Sequence, residues 1–276
     1  MIDAHFHIWR PARGDYGWLT PALGALHRDV AIADWRREAA PCGVTGGILV
    51  QAAPTEAETR FLLDAAAAEP GAPVLASWVL GVVGWVDLTA ADAPHRVAEA
   101  ARAPRLKGLR PMLQDIADPE WILASAVAPG LAAMAAHGLT FDALVRPVHL
   151  PRIRTLAARH PDLTIVIDHG AKPDIAGDAF APWADEIERI ARDTQAFCKL
   201  SGLLTEAGSS PERLPRYIAH LAACFGPERL IWGSDWPVLE LAGNYRDWHA
   251  LALNLVPAAD RDAVFGGNAR RAYRLD

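Results

Sequence analysis

Ile2-Asp3-Ala4-His5-Phe6-His7-Ile8-Trp9 is a short apolar run interrupted by two histidines two positions apart. A strand has a side-chain period of two, so His5 and His7 face the same way at its end. The same kind of run recurs seven more times. These runs are Val44–Ala52, Val74–Val86, Leu106–Leu113, Thr140–Arg146, Thr164–Asp168, Ala196–Leu200 and Arg229–Gly233. They are continuously apolar, as in parallel strands covered on both faces. Between them lie helical stretches at Glu56–Ala68, before Ala103, after Pro119, and at Arg152–Arg159, Trp183–Arg192 and Leu214–Cys224. A last one runs from Asp260 to Tyr273. Eight such runs with seven helical stretches predict a (β/α)8 TIM barrel, with a doubly wound sheet as the alternative. No linker or charge block divides the chain, so residues 1–276 are read as one barrel domain. Arg10–Val30, rich in Gly, Pro and aromatics, reads as a long loop overhanging the barrel mouth.

The 276 residues are 51% hydrophobic with a net charge of −6, a composition that points away from nucleic acid and anionic membranes as partners. No window is long and apolar enough for a membrane span, and no signal peptide is visible after Met1, so the cytoplasm is the expected compartment. Cys42, Cys198 and Cys224 fit neither a disulfide framework nor a cysteine-rich metal site, and are read as small buried hydrophobes.

Barrel enzymes carry their chemistry at the C-terminal ends of the strands. The polar residues there are His5 and His7, Gln51, Trp85 with Asp87, Arg110, Asp168-His169, Lys199 with Ser201, and Ser234-Asp235. A lone His-x-His is a weak signal. Three histidines and Asp235 converging on one face form a site: Asp235 suits a general base, and the imidazoles suit carbonyl polarisation or metal ligation. Arg110 offers a planar fork for a carboxylate or vicinal hydroxyls, with a structural ion pair as the alternative. Trp85 is either a stacking face for a sugar ring or a core residue. Lys199 either reaches the cleft or pairs with a buried carboxylate. Gln51 is a hydroxyl-binding candidate, and Tyr16 and Trp18 are rim candidates. His149 reads as a loop residue or a helix start outside the fifth strand.

Several stretches, in order and spread over nearly the whole chain, resemble the amidohydrolase superfamily in its amidohydrolase 2 branch. They are Ile2–Trp9, Gly14–Leu19, Val50-Gln51-Ala52 with Glu58-Thr59, Gly84–Asp87, Lys107–Arg110, Asp168–Pro173, Lys199–Gly202 and Gly233–Pro237. Within the branch the chain resembles sugar-acid lactonases of the L-fuconolactonase and L-rhamnonolactonase type. The resemblance implies a (β/α)8 barrel and hydrolysis of a small sugar lactone, with Asp235 as base and His5, His7 and His169 around the carbonyl. It also implies one divalent metal, zinc first, held by His5, His7, His169 and Asp235, or none, and no organic cofactor. The bridging lysine or glutamate of two-metal members has no counterpart in register, since Lys107 precedes its strand's end and run five ends at Arg146. The alternatives are a decarboxylase of aromatic or muconate-like acids, a non-catalytic sugar-binding barrel, and an amidase or esterase on other substrates. Helix-rich barrels often dimerise, which makes a homodimer the assembly to test.

Overall fold

The computed structural model describes residues 1–68 and 78–275. Eight parallel strands pair in sequence order: β1 Ile2–Phe6, β2 Gly46–Val50, β3 Val79–Gly84, β4 Leu106–Leu109, β5 Thr140–Ala143, β6 Ile165–Ile167, β7 Phe197–Leu200 and β8 Leu230–Trp232. The predicted TIM barrel is therefore the fold. The third run is shorter than its sequence suggests: residues 74–77 lie outside the described residues, and the strand itself begins at Val79.

The helices are α1 Ile32–Ala39, α2 Glu56–Ala67, α3 Ala93–Ala100, α4 Ala128–Ala136, α5 Leu150–Arg159, α6 Phe180–Asp193, α7 Leu203–Ala207, α8 Leu214–Arg229, α9 Tyr245–Leu255 and α10 Asn268–Tyr273. Helix α9 has no counterpart among the predicted helices. Asn244 caps it by accepting from Asp247 N, and its apolar face, Tyr245, Trp248, His249 and Ala252, has helical spacing. The predicted terminal helix is broken into a 3-10 turn, a π turn and α10. Among the described residues, no helix is long and apolar enough to cross a membrane.

The core has two layers. The larger lies between the strands and the helices; the smaller fills the barrel with Ala4, Ile48, Val50, Val83, Val166 and Ile231. Tyr273 and Leu275 at the end of the chain pack into this inner cluster. All three cysteines are free, and only Cys198 is buried; Cys42 and Cys224 are half-exposed, which corrects their reading as buried hydrophobes.

The seam that closes the barrel positions the site. Beyond the end of β8, Asp235 N donates to His5 O (2.8 Å) and His7 N donates to Trp236 O (2.8 Å). Pairing of β1 with β2 is irregular between Asp3 and Phe6. A regular strand would point Asp3 and His5 to one face; the bulge separates them. Asp3 turns outward and accepts from Trp35 Nε1, Tyr245 OH, Ser234 N and Ser234 Oγ at 2.7–2.9 Å. His5 turns inward. Asp3 thus ties β1 to the segment after β8, and the seam brings the two ends of the chain to one place.

Candidate active site

His7 sits just past β1. Its Nδ1 lies 2.8 Å from Val50 O. A carbonyl only accepts, so Nδ1 carries a proton and Nε2 is the nitrogen turned to the barrel mouth. There it lies 3.2 Å from Asp235 Oδ1 and 3.2 Å from His5 Nε2, while His5 Nε2 is 3.6 Å from Asp235 Oδ1. His169 Nε2 is 3.9 Å from the same carboxylate oxygen. The four residues expected to converge do so, although His5 and Asp235 are 230 positions apart in sequence.

Backbone strain marks both Asp235 and the sixth-strand histidine. Asp235 has φ +60°, and His169, Ala171 and Lys172 have φ of +55°, +63° and +49°. Non-glycine residues adopt this region at a cost and accumulate at functional sites. The turn after β6 presents His169 and Lys172 together to the cavity. Ser201 Oγ lies 2.9 Å from His169 Nδ1 and leaves Nε2 for the cavity. Gly202 makes this approach possible, since a Cβ there would lie 2.5 Å from His169 Nδ1.

Beneath the mouth is a buried charge network. Lys199 is fully buried; its Nζ donates to Asp142 Oδ2 (2.6 Å) and His5 Nδ1 (3.1 Å) and pairs with Asp168 Oδ1 (3.0 Å). Tyr273 OH donates to Asp142 Oδ2 (2.7 Å), and Arg110 Nη1 lies 3.2 Å from Asp168 Oδ2 and 3.3 Å from His5 Nε2. Burial raises the Asp142 carboxyl to about 6 against the pull of Lys199. Burial also opposes ionisation of Asp168, but Lys199, His5 and Arg110 outweigh it and hold this carboxyl well below its usual range. His5 is held well below the usual imidazole range by burial and by Lys199; His169 falls to about 4, chiefly by burial. Burial pushes Asp235 upward too, yet the facing His169, His7 and His5 lower it below ordinary carboxylates.

A cavity of about 250 Å³ opens over this network. Its polar lining is His7, Arg110, His169, Asp235, Lys172, Gln114 and Asp115; Trp18, Met112, Leu144 and Val238 form apolar walls. Trp18 is held at the rim by Nε1–H donation to Ala52 O (2.7 Å), as expected for the overhanging loop.

Other expected contacts are corrected. Lys199 pairs with carboxylates under the cavity instead of lining it. Gln51 is fully buried; its Nε2 donates to Arg110 O (2.6 Å), and Arg110 Nη2 donates to Gln51 O, so it holds Arg110. Tyr16 is buried behind the loop near Glu58 and Arg13, and Trp85 lines a neighbouring cavity. His149 lies in a 3-10 turn with Nδ1 3.1 Å from Arg146 N, away from the cavity. The expected four-ligand set divides into two groups sharing His5: His5, His7 and Asp235, and His5, Asp168 and His169.

Sequence reasoning missed Gln114, Asp115, Asp142 and Glu58, and gave Lys172 no role. Glu58 accepts from Ala52 N (3.0 Å) and Ala53 N (2.6 Å), shaping the segment that holds Trp18. Burial raises its carboxyl to about 7 against those N–H groups. The pattern Thr55-x-x-Glu58 before an apolar helix was the available signal, and Thr55 Oγ does cap α2.

The amidohydrolase family model (Amidohydro_2) matches residues 2–275. The chain belongs to the amidohydrolase family. This amidohydrolase is 45% identical to an L-fucono-1,5-lactonase of Burkholderia ambifaria, over 100% of this chain and 96% of that protein. It is 36% identical to an L-fucono-1,5-lactonase of Burkholderia multivorans, over 99% of this chain and 96% of the relative. A crystal structure of a Burkholderia multivorans amidohydrolase with bound zinc superposes with a TM-score of 0.92 at 35% identity, covering 100% of this chain and 99% of the other.

Proposed function

We propose that this amidohydrolase opens the ring ester of a neutral sugar-acid lactone, with L-fucono-1,5-lactone the first candidate. The observation that carries the reading is the Asp235 carboxylate set within 4 Å of three imidazoles, with His7, His169 and Arg110 lining the same small cavity. The two lactonase relatives that match nearly the whole chain support it. Charge balance favours a neutral substrate, because Arg110 already pairs with Asp168 and Lys172 lies 3.7 Å from Glu206. Gln114 Oε1 is buried without a described partner in the lining, a ready acceptor for a ring hydroxyl.

The chemistry follows from these groups. Water held by Asp235 gives it a proton as the water oxygen attacks the lactone carbonyl carbon. Negative charge on the carbonyl oxygen is met by Arg110 and an imidazole N–H, donors already fixed in a water-poor site. The tetrahedral intermediate collapses with cleavage of the ring C–O bond, and Asp235 returns the proton to the departing alkoxide. The product is the open hydroxy acid. A carboxylate of low pKa is a reluctant base toward water but, once protonated, a strong acid toward the departing alkoxide.

The donor atoms of His5, His7 and Asp235, 3.2–3.6 Å apart, have the spacing of ligands around one tetrahedral ion. These three residues would hold it, and a divalent ion there would supply Lewis-acid polarisation of the carbonyl. Arg110 lies close enough to His5 to place positive charge at the same point without it.

A panel of five- and six-membered aldonolactones, followed by proton release with a pH indicator, tests the reading. Turnover of a neutral six-membered lactone is expected, lowered at least about 10²-fold in Asp235→Asn. Failure to open any aldonolactone refutes the function; wild-type rates in Asp235→Asn refute the assigned base.

A further inference from the structure

Beside the catalytic cavity lies a larger one of about 510 Å³. The two adjoin across Trp18, Met112 and Asp115, which line both. Three indoles, Trp18, Trp85 and Trp121, face the second cavity together with the carboxylates of Asp15, Asp87 and Asp115. No lysine or arginine lines it among the described residues.

We propose that this cavity is a second subsite, which takes a neutral glycosyl ring carried on the lactone. The inference rests on the lactonase reading and extends it to glycosylated aldonolactones. Large indoles normally complete a core, but Trp18 is 36% exposed and Trp85 and Trp121 are only half-buried. Trp18 is not loose: its N–H is bound to Ala52 O, and it meets Trp9 edge to face at 5.4 Å. A fixed, exposed indole is a stacking surface for the apolar face of a sugar ring.

The charge of the lining selects among occupants. Three carboxylates with no lysine or arginine among the lining residues disfavour phosphate or carboxylate substituents and accept hydrogen bonds from hydroxyls. Indoles with carboxylates also suit an organic ammonium ion. Against that, Asp15 is paired with Arg13 (2.5 Å), and Asp87 Oδ1 accepts from Thr89 N and Oγ (2.9 and 2.6 Å). The cavity is about twice the volume of the lactone pocket and shares three lining residues with it, so a substituent passing Trp18 would enter it.

The experiment uses the lactone that turns over fastest in the panel, and the same lactone bearing a β-glucosyl group at each free hydroxyl in turn. At least one glycosylated form is expected to be opened. Trp121→Ala should lower its kcat/KM about tenfold, the loss of one stacking contact, while the simple lactone is unaffected. Ile116→Trp, which adds bulk to the cavity wall and keeps all three indoles, should act in the same way. Methyl β-D-glucopyranoside, which has no lactone, should quench tryptophan fluorescence in the wild type and not in Ile116→Trp.

The proposal is overturned if no glycosylated form reacts while the simple lactone does. It is also overturned if the variants slow both substrates equally, or if tetramethylammonium quenches and the glucoside does not. If no lactone is opened but the glucoside still quenches in an Ile116→Trp-sensitive way, the lactonase reading fails and the glycosyl-binding cavity stands.

Discussion

Lys199→Met removes the ammonium at the centre of the barrel while keeping most of the side chain's volume. Lys199, Asp142 and Asp168 have no exposed surface, so the charges left behind cannot recover solvation. Breaking a buried ion pair from one side costs about 3–5 kcal/mol. Two observations place this case near the lower end: Asp142 Oδ2 keeps the Tyr273 hydroxyl at 2.7 Å, and Asp168 Oδ2 keeps Arg110 at 3.2 Å. We expect a loss of about 3 kcal/mol in equilibrium urea unfolding followed by tryptophan fluorescence. If the orphaned carboxylate is the cause, adding Asp142→Asn to Lys199→Met should restore about 1 kcal/mol or more. Lys172→Met is the control: its partner Glu206 is 3.7 Å away and both are partly exposed, so it should cost under about 1 kcal/mol. A Lys199→Met protein within about 1 kcal/mol of wild type would falsify the account, as would a double variant less stable than the single one.

Glu58 gives a pH-dependent prediction. Its carboxyl is raised from 4.5 to about 7, so the folded chain binds the proton more tightly than the unfolded chain. That contribution is full below pH 4.5 and is lost as pH rises through 7; at about 1.4 kcal/mol per pH unit it amounts to about 3 kcal/mol. The stability advantage of wild type over Glu58→Gln should therefore shrink by about that amount between pH 4.5 and 8, and a constant difference would refute it. For the metal question, turnover is expected to survive exhaustive chelation with verified metal loss, because Arg110 already faces His5 Nε2 at 3.3 Å. Activity that vanishes on chelation and returns with zinc would assign that charge to an ion held by His5, His7 and Asp235.

Five of the residues that the structure brings together, His5, His7, Arg110, His169 and Asp235, lie at or just past the ends of apolar strands, where the fold directs polar side chains to the barrel mouth. Depth within the barrel was not legible. Lys199 points inward as the strand period requires, yet it lies one layer below the mouth, and only its partners on β5 and β6 reveal this. Asp142 was hidden inside an apolar run whose apparent end lay at Arg146, three residues past the strand's real end at Ala143. Glu58 and Gln114 come from a helix and a turn, where no strand end draws attention to them. Trp85 follows β3, but its ring serves the adjoining cavity, a matter of side-chain direction that spacing does not encode.

The seam between residues 5–7 and 235–236 also bears on how the chain comes to work. Asp235 and the imidazoles of His5 and His7 lie near opposite ends of the sequence, and the hydrogen bonds that close the barrel are the ones that bring them together. Contacts of such long sequence separation carry the greatest loop-closure cost. No fragment that lacks either end can hold the complete centre, and a partly folded chain with the seam open separates Asp235 from His5 and His7. Catalytic competence is thereby a report on ring closure: the chain becomes an enzyme only at the step that makes it a barrel.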